Sequence, residues 1–462
     1  MRLFCLLSFL LAFVAAHAQP LPQRLDALLH DELLKTSEVG ITVFDLTTGQ
    51  SVYRYQDEKL YRPASVLKVI TSVTALSRLG ADYTLDTRLC HTGTIQGDTL
   101  RGNLYVVGGF DPEFMDEDLD RLADAVAARG IRYVADTLAA DVSMTDSTYW
   151  GPGWCWDDAP YSFQPYLSPL LLNRGCVEVS VTPMQQDSLP RVTCTPASGY
   201  YAVSNRAVSR NPQAGKLEIT RNWMSHGNLI TVSGNVAHPR TESLSVYPSH
   251  RFFFHTFAER LHARGIGARV QAFAACPPAT ATLYTLKRPL GEVLERALKK
   301  SDNLCAEAMF YHLAARHVPH LGVTAEDGAD AIGDFMQTVL GFNPDNYRIA
   351  DGSGVSMYNY ISPRLLLEYL KYAYYHREVF LPLYDALPIA GVDGTLQHRM
   401  KQTRARGNVR AKTGSVAGVS SLAGYVKAAD GHQLAFVIIH QNVLKLSRAR
   451  AFQDKVCDLL SR

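Results

Sequence analysis

Ser65 and Lys68, in the stretch Arg62-Pro63-Ala64-Ser65-Val66-Leu67-Lys68, are three residues apart. On a helix this spacing sets an alcohol and an amine side by side, roughly 5–6 Å between Cβ atoms. An amine whose pKa is lowered by apolar surroundings can take the serine proton and leave the oxygen nucleophilic. Standing alone, the pair is better explained as a capping serine and a surface lysine, and only other parts of the chain overturn that.

Two further clusters could do related chemistry. Ser301-Asp302-Asn303 falls between two helical runs, where a serine or aspartate commonly caps a helix. In a functional role, Ser301 would meet a proton in transit and the Asn303 amide would meet a substrate carbonyl. Lys412-Thr413-Gly414 ends an apolar strand. There a small residue admits a second backbone, and the lysine and threonine can bind a carboxylate. S-x-x-K on a helix, S-D-N between helices and K-T-G on a strand, in that order, form the set used by penicillin-binding proteins and serine β-lactamases.

Positioning these groups is the task of a small number of elements. Val66, Val69, Ile70, Val73, Leu76 and Leu79 recur at helical spacing, which predicts a helix with one buried face beginning near Ser65, with Pro63 before it and Gly80 as its stop. Free N–H groups at such a terminus favour developing negative charge. Upstream, residues 21–35 have helical periodicity, and 39–45 and 51–55 alternate around Thr47-Thr-Gly-Gln50 as a hairpin. Late in the chain, 409–414, 420–426 and 434–441 are strand-like and 449–460 forms a closing helix. Two early and three late strands predict an α+β chain: a mostly antiparallel sheet covered by terminal helices, with a helical body from about 286 to 384. Between about 82 and 285 lies an insertion of short strands and Gly-rich turns, with helices over 117–129 and 252–264. Gly108-Gly109 is a turn, since neither G-x-G-x-x-G nor G-K-[ST] frames it.

Composition narrows the function classes. With 46 basic and 44 acidic residues the net charge is +2, which gives no argument for a nucleic-acid partner. Neither C-x-x-C nor H-x-x-x-H spacing occurs, so no metal and no cofactor are expected. Residues 1–18 have a basic start, a short apolar run and Ala16-His17-Ala18, the pattern of a secretory leader, which places the protein in the periplasm or outside the cell. That run is too short for an anchor and no later one is longer, so no transmembrane segment is expected in the mature chain. Peripheral membrane association and a homodimer both stay open. Beyond Cys5 in the leader the chain has Cys90, Cys155, Cys176, Cys194, Cys276, Cys305 and Cys457, an odd number; Cys176 and Cys194 flank a short loop and are expected to pair.

Taken together, the sequence resembles the low-molecular-mass penicillin-binding proteins of the D-alanyl-D-alanine carboxypeptidase/endopeptidase type, peptidase family S13. Beyond the three clusters the resemblance rests on Gly102-Asn-Leu-Tyr-Val-Val-Gly-Gly109 with Asp111-Pro112, on Gly151-Pro-Gly-Trp154 with Trp156-Asp-Asp158, and on Asp351-Gly-Ser-Gly354. The long insertion between the first two clusters separates it from β-lactamases. The resemblance implies a transpeptidase-like catalytic domain (19–82 and 285–462) with two inserted β-rich domains (83–168 with 240–284, and 169–239). It implies peptidoglycan stem peptides and β-lactams as ligands, with a non-catalytic muropeptide sensor or a serine β-lactamase as alternatives. Ser65 would attack the penultimate D-alanine carbonyl and Lys68 would act as base. Ser301, Asn303 and Lys412 would complete the catalytic group, while Thr413 and Gly414 bind substrate. By resemblance Ser415 supplies a backbone N–H of the oxyanion hole, and Asp141, with Asp146 as the alternative, meets the free amine of a diamino acid.

Overall fold

Alternation along the late strand Gln433–Val443 divides the catalytic region into two cores. Leu434, Phe436 and Ile438 face one way and Ala435, Val437 and Ile439 the other, all buried. In the computed structural model, which describes residues 20–462, this strand is central in a five-stranded antiparallel sheet. The order is Arg410–Val416, Gly418–Lys427, Gln433–Val443, Glu38–Asp45, Gln50–Tyr55. On one face pack Leu25 from the first helix and Phe452, Val456 and Leu460 from the last, Leu446–Leu460. On the other lies a helical body containing Leu67–Leu79, Leu290–Lys299, Asn303–His317, Ala325–Thr338 and Pro363–Tyr375. The expected α+β architecture with two early and three late strands is present. The expected leader lies outside the described residues.

Two local expectations change. Helical periodicity over 21–35 is interrupted: Leu21–Leu28 is α-helical and Glu32–Lys35 a 3₁₀ turn, because the Asp31 side chain accepts the Leu33 N–H at 3.1 Å and starts a new turn. The helix after Ser65, expected to bury one face, is buried on every side from Leu67 to Leu76. It lies inside the helical body, surrounded by the other helices, so its polar positions turn inward. Thr71 donates to the Gly352 carbonyl at 2.7 Å and Thr74 to that of Ile70 at 2.9 Å.

Between Thr84 and Pro289 the chain builds other sheets. A seven-stranded mixed sheet runs from Thr84–His91 to Ala281–Pro289. Two three-stranded sheets follow from the segment after Cys176. Arg240–Ser245 pairs antiparallel with Cys176–Thr182 and so sits with the latter group. The inserted region as a whole shares one core, which includes Leu89, Val106, Leu122, Val179, Val232, Phe253 and Phe257 and is distinct from the two above. All seven described cysteines are free thiols. The expected Cys176–Cys194 pair is not formed, because on these adjacent strands Cys194 lies opposite Val179 and Cys176 opposite Ser245. Among the described residues no helix is long and apolar enough to cross a membrane.

Candidate active site

Pro63 initiates a short 3₁₀ turn, Ala64–Val66, that leads into the helix Leu67–Leu79. Ser65 therefore sits at the start of a helix, 9% exposed, at the floor of a cleft of about 380 Å³. Ala64 before it has a left-handed backbone (φ 50°). Gly354 packs against it, itself at φ 84°, where a Cβ would lie 2.0 Å from the Ala64 carbonyl oxygen. Only glycine fits there, which accounts for the last residue of Asp351-Gly-Ser-Gly354.

Lys68 is fully buried and its three donors are fixed. Nζ lies 3.0 Å from Ser65 Oγ, 2.8 Å from Asn303 Oδ1 and 2.7 Å from the Ser353 carbonyl oxygen. Burial pushes its pKa down to about 8, against the opposing pull of Asp351, Glu307 and Asp302. Glu307, also buried, holds the loop that grips the lysine. Its carboxylate accepts the Gly352 and Ser353 N–H groups at 3.1 and 2.9 Å, and burial with the nearby Asp351 raises it to about 8. Asp351 is a turn maker, as Asp-Gly-Ser-Gly suggests. It accepts from the Gly354 and Ser356 amides at 2.8 and 2.7 Å, and from Trp154 Nε1 at 2.9 Å.

Within Ser301-Asp302-Asn303 the three side chains divide their tasks. Asp302 caps the helix Asn303–His317 by accepting the Cys305 N–H at 3.0 Å, and it pairs with Arg174 and Arg296. Burial alone would raise its pKa; Arg174 outweighs that and holds it below the usual carboxylate range. With capping done by Asp302, Ser301 takes a left-handed backbone (φ 58°) and its hydroxyl points into the cleft. Lys412 Nζ, fully buried, donates to Ser301 Oγ at 2.7 Å and to the Thr413 carbonyl at 2.7 Å. Burial, with the ammonium of Lys68 nearby, holds Lys412 well below the ordinary lysine range. Asn303 Nδ2 donates to the Phe163 carbonyl at 2.8 Å and to Gln164 Oε1 at 3.2 Å. Its amide thus ties the buried lysine to the loop around residue 163.

The strand Arg410–Val416 forms one wall. At Gly414 a Cβ would lie 2.2 Å from Ser421 Oγ, 2.9 Å from the Pro63 carbonyl oxygen and 3.0 Å from the Ser65 nitrogen. The strand consequently passes the nucleophile at backbone contact. Thr413, Gly414 and Ser415 line the cleft with Thr395, His398, Arg399 and Arg450. Thr413 Oγ1 donates to Thr395 Oγ1 at 2.8 Å. The arginines and the histidine had no signal in the sequence, being single basic residues outside any spacing pattern.

Eight of the nine expected residues meet here; Asp141 does not. It ends the strand Tyr133–Asp141, and its carboxylate accepts the Ser143 and Cys276 amides, both at 2.8 Å, leaving it 6% exposed and away from the cleft lining. An Asx turn followed by a strand end explains it. Asp146, its neighbour, accepts the Thr148 N–H at 3.1 Å.

Comparison with known proteins follows this geometry. A family model described as the D-Ala-D-Ala carboxypeptidase 3 (S13) family matches residues 21–462. A D-alanyl-D-alanine carboxypeptidase of Actinomadura sp. (strain R39) is 31% identical over 446 residues, covering 92% of this chain and 81% of that protein. The crystal structure of penicillin binding protein 4 (dacB) from Haemophilus influenzae superposes with a TM-score of 0.82 at 26% identity, covering 94% of this chain and 97% of that one. A structure of the same protein complexed with a novel β-lactam has a TM-score of 0.76 at 24% identity, covering 94% of this chain and 98% of that one.

Proposed function

The chain belongs to the D-Ala-D-Ala carboxypeptidase 3 (S13) family, and from that premise we propose that it is a serine hydrolase releasing D-alanine from peptidoglycan stem peptides and cutting D-amino-acid cross-links, with Ser65 as the nucleophile. The carrying observation is Lys68 Nζ at 3.0 Å from Ser65 Oγ with a pKa lowered to about 8. In this reading Ser65 Oγ bonds to the carbonyl carbon of the penultimate D-alanine as its proton passes to Lys68. The Ser65 N–H, beside the Gly414 backbone, and the N–H of Ser415 stabilise the oxyanion. Collapse breaks the C–N bond, Ser301 passes a proton to the leaving amine, and water then hydrolyses the ester. Lys412, Thr413 and the arginines of the cleft receive the terminal carboxylate, and Asn303 holds Lys68 and the loop against which the peptide lies. β-Lactams enter as acylating analogues of the same amide.

We also read 83–284 as two inserted domains, the boundary of the second falling after Ser245 instead of 239, since Arg240–Ser245 pairs into its sheet. The protein acts where its substrate lies, outside the cytoplasmic membrane.

Incubating purified protein with peptidoglycan fragments tests this by mass spectrometry. The expected products are free D-alanine and uncross-linked muropeptides, both suppressed by prior treatment with penicillin. A stable penicilloyl adduct with neither product would move the assignment to a sensor, and rapid penicillin turnover to a β-lactamase.

Gly414→Ala is expected to lower the rate of penicillin acylation by about 10²-fold, because the added methyl displaces the strand or the Ser65 amide. The same change costs only about 1–3 kcal/mol of stability, as overpacking usually does. Stopped-flow acylation beside thermal melts checks the contrast; equal rates would show that the strand can shift freely.

A further inference from the structure

Beside the cleft, the inserted segments form a second cavity of about 520 Å³ walled by Trp150, Trp156, Tyr166, Trp223, Met224 and Tyr247. The reading of the catalytic cleft does not use it. Trp156 and Trp223 stack on each other at 5.3 Å and 29°, and Trp156 keeps an indole face open to a ligand. Large apolar groups are left in water here: Trp156 is 67% exposed and Met224 76%. A soluble protein that leaves such a surface open has a use for it.

The chemistry of the lining selects its ligand. Among the described residues no acidic or basic side chain other than His226 lines the cavity, and the hydroxyl-bearing Ser147, Thr148 and Tyr149 are part of the lining. An uncharged ligand with an apolar face and hydroxyl edges matches this: a pyranose ring, whose C–H face stacks on indole while its hydroxyls and acetamido group bond to the polar lining residues. The catalytic cleft, with its lysines and arginines, is built for a carboxylate, so the two sites call for different ends of one substrate.

They are also joined by one segment. Within 147–166, Trp150 packs on Trp154 at 5.3 Å, and Trp154 donates to Asp351 beneath Lys68. Trp150 also packs on Tyr166 at 5.2 Å, and Phe163 and Gln164 of the same segment receive the Asn303 amide. We propose that the aromatic cavity binds the N-acetylhexosamine backbone from which the stem peptide hangs, placing the glycan while the peptide enters the cleft. This rests on the assignment of stem peptides to the cleft. Where the peptide is attached, the lactyl carboxyl of the sugar is consumed as an amide, so the glycan there is neutral, as the lining demands.

Two measurements on the full chain decide it. Calorimetric titration with chitotetraose, a peptide-free N-acetylhexosamine tetramer, is expected to give saturable binding. That binding should weaken about tenfold in Trp156→Ala and recover in Trp156→Phe, since one aromatic stacking contact is worth about that factor. In kinetics, a disaccharide-pentapeptide should show a lower KM than the free pentapeptide; Trp156→Ala should erase the difference, with kcat and penicillin acylation unchanged. Absence of chitotetraose binding, equal binding by wild type and Trp156→Ala, or saturation by tetramethylammonium instead would overturn the proposal. If neither peptide releases D-alanine, it is the reading of the cleft that fails, and the titration still decides the cavity.

Discussion

Ser65→Ala is expected to abolish covalent labelling by penicillin, with a fall in acylation rate of about 10⁴-fold or more. No other group takes over once the attacking oxygen is gone. Intact-mass spectrometry and fluorescent penicillin labelling read the effect directly: the wild type gains one penicilloyl unit, mapped to the peptide containing Ser65, and the variant gains none. The fold should survive. Ser65 is a small side chain, and after its loss Lys68 Nζ keeps the Asn303 and Ser353 oxygens at 2.8 and 2.7 Å. A melt that stays cooperative therefore separates lost chemistry from lost structure. Labelling of Ser65→Ala at the wild-type rate would remove this serine from its role.

The second large effect belongs to Lys68. Its pKa, lowered by burial to about 8, lies below the 10.5 of a free lysine. As base it must be neutral, so the acylation rate should climb as pH rises from 6 to 9, with an apparent midpoint near 8. Stability follows the same sign. Because the folded state disfavours the ammonium, this lysine costs stability below pH 8, and the cost fades as pH approaches the unfolded value. Lys68→Arg keeps the charge and removes the base. It should lower acylation by about 10³-fold and erase the rising limb, since guanidinium does not deprotonate in this range. Rates that are flat or falling from pH 6 to 9 in the wild type would mean that Lys68 works as a cation and that the proton goes elsewhere.

How much of this could be read beforehand depended on distance along the chain. The Ser65–Lys68 pair was legible because one helical turn fixes it. Ser301-Asp302-Asn303 was legible because it falls between two helices whose periodicity is visible, and Lys412-Thr413-Gly414 because it belongs to an apolar strand, although it lies in the middle of Arg410–Val416 and not at its end as expected. Which residue of a cluster caps and which is left free was not: Asp302 caps, and that releases Ser301. The burial of the helix on every side from Leu67 to Leu76 escaped a pattern that counted only apolar residues, since Thr71 and Thr74 are small and bury without large cost when bonded. Glu307 under Lys68, Trp154 on Asp351 and the Phe163 carbonyl on Asn303 join residues 140 to 239 positions apart, and no local rule reaches them. Asp141 was chosen by resemblance. Its carboxylate accepts two backbone N–H groups, which gives an aspartate at that strand end a structural use.

The five-stranded sheet has a temporal consequence. Glu38–Asp45 is bonded to Gln433–Val443, with Glu38 opposite Gln441 and Asp45 opposite Leu434. A polypeptide emerging amino end first must hold its opening hairpin unpaired on that edge until nearly the last residue has appeared, a loop closure of long reach and slow formation. Everything between can assemble earlier around its own interior. A truncated product lacking the final strand would leave Glu38–Asp45 and Gly418–Lys427 without the partner between them, however well its middle is formed.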